Sequence, residues 1–260
     1  VWAIRTYKPD IIINRFDHRT PGTTHGHHTS SAMLSFEAFD LAADASKYAN
    51  QLKATTVWQS QRLFFNTSSW FYRNQADFKK ATEGKLTSFD VGVYYPLKGL
   101  SNNELASMAS SQHLCQGFGR LSTRGGQKEY VEFLKGTPLK DTEDLFSGIN
   151  TTWNRLKNGG EIGEVLYEVE ANFDFENPSK HLPALLQSYR KIQQLENKHW
   201  AKIKEKEILE IIEASAGLYL EASAASSSAV PNAEIQVQFE ALNRSEFTIE
   251  LVSLKIIPSG

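Results

Sequence analysis

The chain has 260 residues, enough for one or two domains. Its 40% hydrophobic and 11% aromatic content indicates a packed core and excludes a wholly disordered, collagen-like or coiled-coil chain. The 28 basic and 30 acidic residues give a net charge of −2, so no basic excess indicates nucleic-acid binding. No stretch approaches the roughly 18 apolar residues typical of a membrane span, and a single cysteine excludes an intramolecular disulfide.

The first forty residues predict a helix end, a strand, a polar loop and a second helix, in that order. Pro9 disfavours helix at the residue before it. The apolar run Ile11–Ile13 is typical of a strand buried on both faces, as in a parallel sheet. A polar loop follows, and from Ala32 the spacing of apolar residues favours an amphipathic helix. Ligands of open α/β sheets bind at the carboxyl ends of strands, which is where this loop falls.

Four of the seven histidines lie between residues 18 and 28. Neutral imidazole is a common zinc ligand. His25 and His28 are three residues apart, so in an opening helical turn they would share one face. The same spacing also suits a polar loop whose histidines cap the helix, and the spacing alone leaves both interpretations open.

Two segments carry a resemblance to a known family. The string PDIIINRFDHRTPGTTHGHHTSSAM resembles the second conserved block of the LmbE-like, or PIG-L, zinc-dependent N-deacetylases, in which H-P-D-H opens a helix. Here His25-Gly26-His27-His28 keeps H-x-x-H. The segment from Ser111 to Gln116 is similar to the later helix motif H-x-S-Q of that family. The large LmbE-like proteins of Bacteroidetes are the most similar in these strings.

The resemblance implies a zinc ion and assigns roles to individual residues. His28 resembles a zinc ligand, and His25 resembles the histidine that stabilises the oxyanion or protonates the leaving amine. Asp17 lies near the position of an acidic loop residue and is a candidate catalytic residue. Four further residues are candidates for supporting the site or contacting substrate: His27, Arg15, His113 and Gln116.

The first block of the family, HPDDE, has no counterpart in the chain. In the family this block supplies a His and an Asp to zinc and a second Asp as general base. We therefore expect the chain to be a fragment that associates with a missing upstream half-domain and is inactive alone. The resemblance also implies a periplasmic or exported location, although no signal peptide is visible.

The remaining sequence predicts three segments. Residues 1–136 form the C-terminal part of a Rossmann-like α/β deacetylase domain with a parallel sheet. Residues 137–215 are helical, and residues 216–260 alternate like the first strands of an immunoglobulin-like β-sandwich. The aromatic run Trp70–Tyr72 suits either sugar stacking or the core, and we favour the core. Ser101 and Glu104 predict a capping box.

Three functions fit these patterns. The first is zinc-dependent hydrolysis of the acetamide of an N-acetylated sugar. The second is a non-catalytic carbohydrate-binding or scaffolding protein of the same fold. The third is an unrelated metal hydrolase that uses His25, His27 and His28 together.

Overall fold

A computed structural model describes residues 1–116, 122–140 and 144–255. The chain divides into two compact units, Val1–Ile149 and Asn150–Gly260, which we call unit 1 and unit 2. Each is described by itself below.

In its described residues, unit 1 combines four α-helices with six strands. In chain order they are α1 (Trp2–Tyr7), β1 (Ile11–Asn14), α2 (Gly26–Leu41), β2 (Arg62–Thr67), α3 (Gln75–Thr82), β3 (Leu86–Asp90), β4 (Tyr94–Tyr95), β5 (Leu100–Ser101), α4 (Asn102–Ser111) and β6 (Lys128–Gly136).

The main sheet of unit 1 has the strand order β1-β2-β6-β3. β1 runs parallel to β2, with Ile11 opposite Arg62 and Asn14 opposite Phe65. β6 is antiparallel to both β2 and β3. The mixed α/β class is therefore confirmed, whereas the sheet is mixed and not purely parallel. The physical reason is that β6 returns between β2 and β3 and pairs with both in the opposite direction.

The core of unit 1 is built on the central strand β2. Leu63, Phe64 and Phe65 are all buried, as is Val131 on β6. A run of three buried residues is possible because both faces of a central strand are covered. β1, by contrast, lies at the edge of the sheet, and its Ile13 is 47% exposed although the apolar run predicted burial on both faces.

The predicted cap of α4 is confirmed. The Ser101 side chain accepts a hydrogen bond from the Glu104 amide, and the Glu104 carboxylate accepts one from the Ser101 amide. This reciprocal pair satisfies two donors that a helix start leaves without intrahelical partners. The local sequence is sufficient for this feature because all its partners lie within four residues.

As far as residue 255, unit 2 consists of three α-helices and a hairpin. Its elements are α5 (Gly160–Ala171), α6 (Leu182–Gln193), α7 (Lys198–Ala216), β7 (Leu218–Ala224) and β8 (Val237–Asn243). Ile162, Ile192, Leu195, Ala201 and Ile208 form its buried apolar cluster. The α-helices of the segment expected at residues 137–215 thus begin at Gly160 in the described residues.

β7 and β8 form an antiparallel two-stranded sheet, with Leu218 opposite Asn243 and Ala224 opposite Val237. The chain turns after β8 at Asn243, whose Oδ1 accepts a hydrogen bond from the Ser245 amide at 3.0 Å. The alternation at residues 247–251 also predicted a strand, but these residues are in no strand. The described residues thus provide one hairpin of the predicted sandwich.

Candidate functional site

The carboxyl ends of β1 and β2 are joined by side-chain hydrogen bonds. Buried Asn14 ends β1, and its Nδ2 donates to the carbonyl of Ala32 on α2 at 3.4 Å. The next residue, Arg15, donates to Oδ1 of Asn66 near the end of β2 at 2.5 Å. Arg15, a candidate for substrate contact, is therefore engaged in tying the loop after β1 to β2.

Three of the histidines lie at the start of α2. His25 is the N-cap residue with extended backbone (φ −60°, ψ 143°), and its side chain makes no capping hydrogen bond. His27 and His28 follow in the first turn, because the helix begins at Gly26 and not at Ala32. The ring centroids of His25 and His28 are 5.5 Å apart, and those of His27 and His28 are 4.1 Å apart. The three rings thus form one cluster, which we call the histidine cluster.

His28 differs from its neighbours because the loop after β1 covers it. Its ring stacks on that of Phe16, with centroids 3.9 Å apart and an interplanar angle of 8°. Desolvation, followed by the charges of His27 and His25, holds the pKa of His28 below its usual value. A lower pKa favours the neutral imidazole, which is the form that binds a metal ion.

The imidazole of His28 is a suitable zinc ligand, but the described residues supply too few ligands for a complete zinc site. A catalytic zinc is held by three protein ligands and keeps one position open. Within residues 1–116, 122–140 and 144–255, no three His, Cys, Asp or Glu side chains are arranged to hold one metal ion. The histidine cluster by itself therefore lacks the geometry of a complete zinc site.

Asp17 is held in an ion-pair network. Its Oδ1 accepts hydrogen bonds from the amide and Nε of Arg19, at 3.0 and 2.8 Å. The same guanidinium donates two hydrogen bonds to the Glu132 carboxylate on β6, at 2.9 and 2.6 Å. Burial raises the pKa of Asp17, but the hydrogen bonds from Arg19 outweigh it and hold this pKa below its usual value. Asp17 is thus a paired carboxylate that resists protonation, which makes it a poor general base.

The remaining candidates lie on or after α4. His113 is exposed, and in the described part of the chain none of its hydrogen bonds or ring contacts reaches the histidine cluster. The backbone of Gln116 ends a short 3₁₀ turn, and its side chain lies outside the described residues. The structure therefore brings together His25, His27 and His28, and does not join His113 to them.

A cavity of about 640 Å³ opens beside the loop after β1. Its lining includes Asp17 and Arg19 from that loop, together with Thr67, Phe71 and Tyr72. Trp70, which we expected in the core, is 63% exposed, because the chain leaves the sheet immediately after β2. Thr67 and Tyr72 were not among the site residues expected from the sequence. The signal that could have identified them is the rule that ligands bind at the carboxyl ends of strands, because β2 ends next to β1.

Each helix in the described residues is too short or too polar to span a membrane. The sequence matches no protein-family model, and neither the curated proteins nor the solved structures gave a match.

Proposed function

We propose that the chain contributes part of the site of a zinc-dependent N-deacetylase of the LmbE-like type, which hydrolyses the acetamide of an N-acetylated sugar. The observation that carries the proposal is the position of the histidine cluster, at the start of α2 and next to the carboxyl ends of two parallel strands. The mixed α/β fold is compatible with the Rossmann-like domain of that family.

In this proposal the histidines have separate roles. His28 holds the metal ion, because its lowered pKa favours the neutral ring and Phe16 fixes the orientation of that ring. His25, whose ring makes no capping bond, is free to donate a proton to the departing amine. When bound, zinc would polarise the amide carbonyl as a Lewis acid.

Asp17 has a different role from the catalytic one that the resemblance implied. We propose that the paired Asp17 carboxylate fixes Arg19 and, through it, the loop that carries Phe16. The general base and the other zinc ligands would then come from an HPDD block, which these 260 residues do not contain.

One observation favours the non-catalytic alternative. The cavity beside Tyr72 exists without a three-donor metal site in the described residues. A protein that only binds a carbohydrate would need such a cavity and no metal. The third function, a hydrolase with zinc on His25, His27 and His28 alone, has less support because the three side chains do not form a metal-holding group.

The decisive experiment uses the protein expressed from its complete reading frame. Zinc is measured by elemental analysis, and amine release is measured with N-acetylglucosamine derivatives. We expect His28→Ala to lose zinc and His27→Ala to keep it. We expect His25→Ala to keep zinc while turnover falls about 10²–10⁴-fold, the size of a general acid contribution.

Three results would count against this proposal. Equal zinc content in the His28 and His27 variants would remove the ligand assignment. Loss of zinc from His25→Ala would make His25 a ligand. A zinc-free protein without amine release would leave the carbohydrate-binding alternative. Stoichiometric zinc and sustained turnover in the 260-residue chain alone would instead support the three-histidine site.

A further inference from the structure

A pair of threonine hydroxyls connects the loop after β1 to the start of α2. Thr29 is buried, and its Oγ1 lies 3.0 Å from Oγ1 of Thr24. Thr24 directly precedes the N-cap residue His25, and Thr29 is the fourth residue of the helix. A hydrophobic staple joins the same two positions by an apolar contact and fixes the angle at which the chain enters the helix. The threonine pair does this with a hydrogen bond.

The direction of this hydrogen bond follows from the neighbouring bonds. The Thr24 hydroxyl donates to the carbonyl of His25 at 3.4 Å, so the Thr29 hydroxyl is the donor between the two threonines. The His25 carbonyl also accepts hydrogen bonds from the amides of His28 and Thr29, at 2.9 and 3.3 Å. Thr29 is therefore bonded both to the backbone of His25 and to the residue before it.

The imidazole of His25 depends on this backbone attachment. Its side chain makes no capping hydrogen bond. Its ring lies against those of His27 and His28, with centroids 5.7 and 5.5 Å away. The position of the imidazole is therefore set by the backbone at the N-cap, which the two threonines hold.

His28 is held by a different contact. Its ring stacks on that of Phe16, with centroids 3.9 Å apart and an interplanar angle of 8°. The two histidines that the proposed function requires are thus oriented separately, His28 by Phe16 and His25 by the threonine pair. Loss of the threonine hydrogen bond should move His25 and leave His28 in place.

We propose that Thr29 is a positioning residue, which acts through Thr24 to hold the imidazole of His25 in its place beside His28. This role in turnover rests on the proposed function, in which His25 donates a proton to the departing amine. Proton transfer requires the donor to lie within hydrogen-bond reach of the reacting group. A displaced His25 therefore lowers turnover without removing the metal ligand His28.

The first test measures nuclear Overhauser effects between aromatic ring protons of the 260-residue chain in the presence of EDTA. The variants Thr29→Val and Thr24→Val keep the shape of the side chain and remove one hydroxyl. We expect both to lose the effect between His25 and His28. The effect between Phe16 and His28 should remain, which also establishes that the start of α2 is folded in each variant.

Two further variants serve as rescue and control. Thr29→Ser restores the hydroxyl without the methyl group and should restore the effect between His25 and His28. Thr23→Val removes a hydroxyl from the same loop outside the pair, because Thr23 donates to the carbonyl of Thr20 at 2.8 Å. This control should leave both effects unchanged.

The second test measures turnover and zinc content in the protein expressed from its complete reading frame. Thr29→Val should keep its zinc and lower kcat about tenfold, the effect of losing one hydrogen bond. Thr29→Ser should restore kcat, and Thr23→Val should not change it.

Several results would overturn the role of Thr29. They are an unchanged effect between His25 and His28 in the two valine variants, a joint loss of the Phe16 effect, a failure of Thr29→Ser to restore the ring contact, or an unchanged kcat in Thr29→Val. A parent protein without zinc or amine release would count against the proposed function instead. The ring positions are measured without metal, so that outcome does not affect the first test.

Discussion

At the residue scale, a buried arginine forms six side-chain hydrogen bonds. Arg5 is fully buried on the short helix α1. Its guanidinium donates hydrogen bonds to the carbonyls of Leu41, Ala42, Asp44, Lys47 and Tyr48 and to the Gln51 side chain. A cation at this position also interacts favourably with the C-terminal end of α2. Arg5 therefore caps the C-terminal end of α2 and attaches the following turn to α1.

We predict that Arg5→Met lowers the free energy of unfolding by more than about 3 kcal/mol, because it removes a fully buried guanidinium to which five carbonyls are hydrogen-bonded. The exposed Arg190 of α6 provides the control, and Arg190→Met should change stability by less than about 0.5 kcal/mol. Urea unfolding monitored by tryptophan fluorescence measures both. Similar losses in the two variants would show that the bonds of Arg5 add little stability.

A second residue-scale feature is the partly buried imidazole of His18. Its ring stacks on Phe36 with centroids 4.1 Å apart, and Nδ1 lies 3.6 Å from Asp17 Oδ1 without a hydrogen bond. Burial lowers the pKa of His18, and Arg19 and Lys135 lower it further, while Asp17 and Glu132 oppose this. The folded protein therefore keeps His18 neutral at a pH where the unfolded chain takes up a proton.

This linkage sets the pH dependence of stability. The contribution of neutral His18 to the free energy of unfolding is complete above the pKa of the unfolded chain, about 6.5. It decreases as the pH falls below that value, because the unfolded chain then binds a proton more readily than the folded protein. We predict that His18→Phe, which retains the stacking, reduces the loss of unfolding free energy between pH 7.5 and pH 5.5. The exposed His113→Phe serves as the control. If His18→Phe and the unchanged protein lose equal stability over this range, the linkage is absent.

At the element scale, β1 is the least protected strand of the main sheet. It pairs only with β2 among the described residues, and Ile13 is half exposed. An apolar groove beside it is lined by Ile11 and Ile12 together with Ile4 of α1 and Leu34 of α2. An unpaired, apolar edge strand is a template for pairing with another chain.

We predict that the protein self-associates through this edge and that Ile13→Lys shifts it towards the monomer, because a lysine on an edge strand opposes pairing. Ile249→Lys, at a position of similar exposure outside any strand, is the control and should not change the association. Sedimentation velocity at several concentrations measures the effect. A monomer at all concentrations, or an equal effect of the two lysines, would contradict the prediction.

At the scale of the whole molecule, the boundary between the units lies at residues 149 and 150, whereas the sequence predicted it near residue 136. The fully buried Arg62 on β2 explains the difference. Its guanidinium donates to the carbonyls of Thr137, Pro138, Leu145 and Ser147. These bonds attach the residues after β6 to unit 1.

We predict that Arg62→Met releases this attachment and lowers the hydrogen-exchange protection of the Thr137 amide, which donates to the Gln61 carbonyl at 2.8 Å. Arg124→Met removes an exposed arginine from the same unit and should not change the protection. Mass spectrometry after exchange measures both variants. Unchanged exchange in Arg62→Met would indicate that the boundary is set by other contacts.

The sequence by itself determined the features that depend on neighbouring residues. Two features were predictable, the strand at Ile11–Ile13 and the capping box at Ser101, because each depends on local backbone preferences or on a short hydrophobic period. The spacing of His25, His27 and His28 left their gathering open, because a capping loop and an opening helical turn both fit it, and the start of α2 at Gly26 brings the three together.

Tertiary structure alone decided the features that join distant parts of the chain. β6 returns between β2 and β3, which makes the sheet mixed. Arg19 reaches Glu132 across 113 positions, which attaches the loop that carries Asp17 to β6. Arg62 moves the unit boundary by bonding to carbonyls at least 75 positions away. Such contacts depend on which strands become neighbours in space, and neither hydrophobic periodicity nor a short motif contains that information.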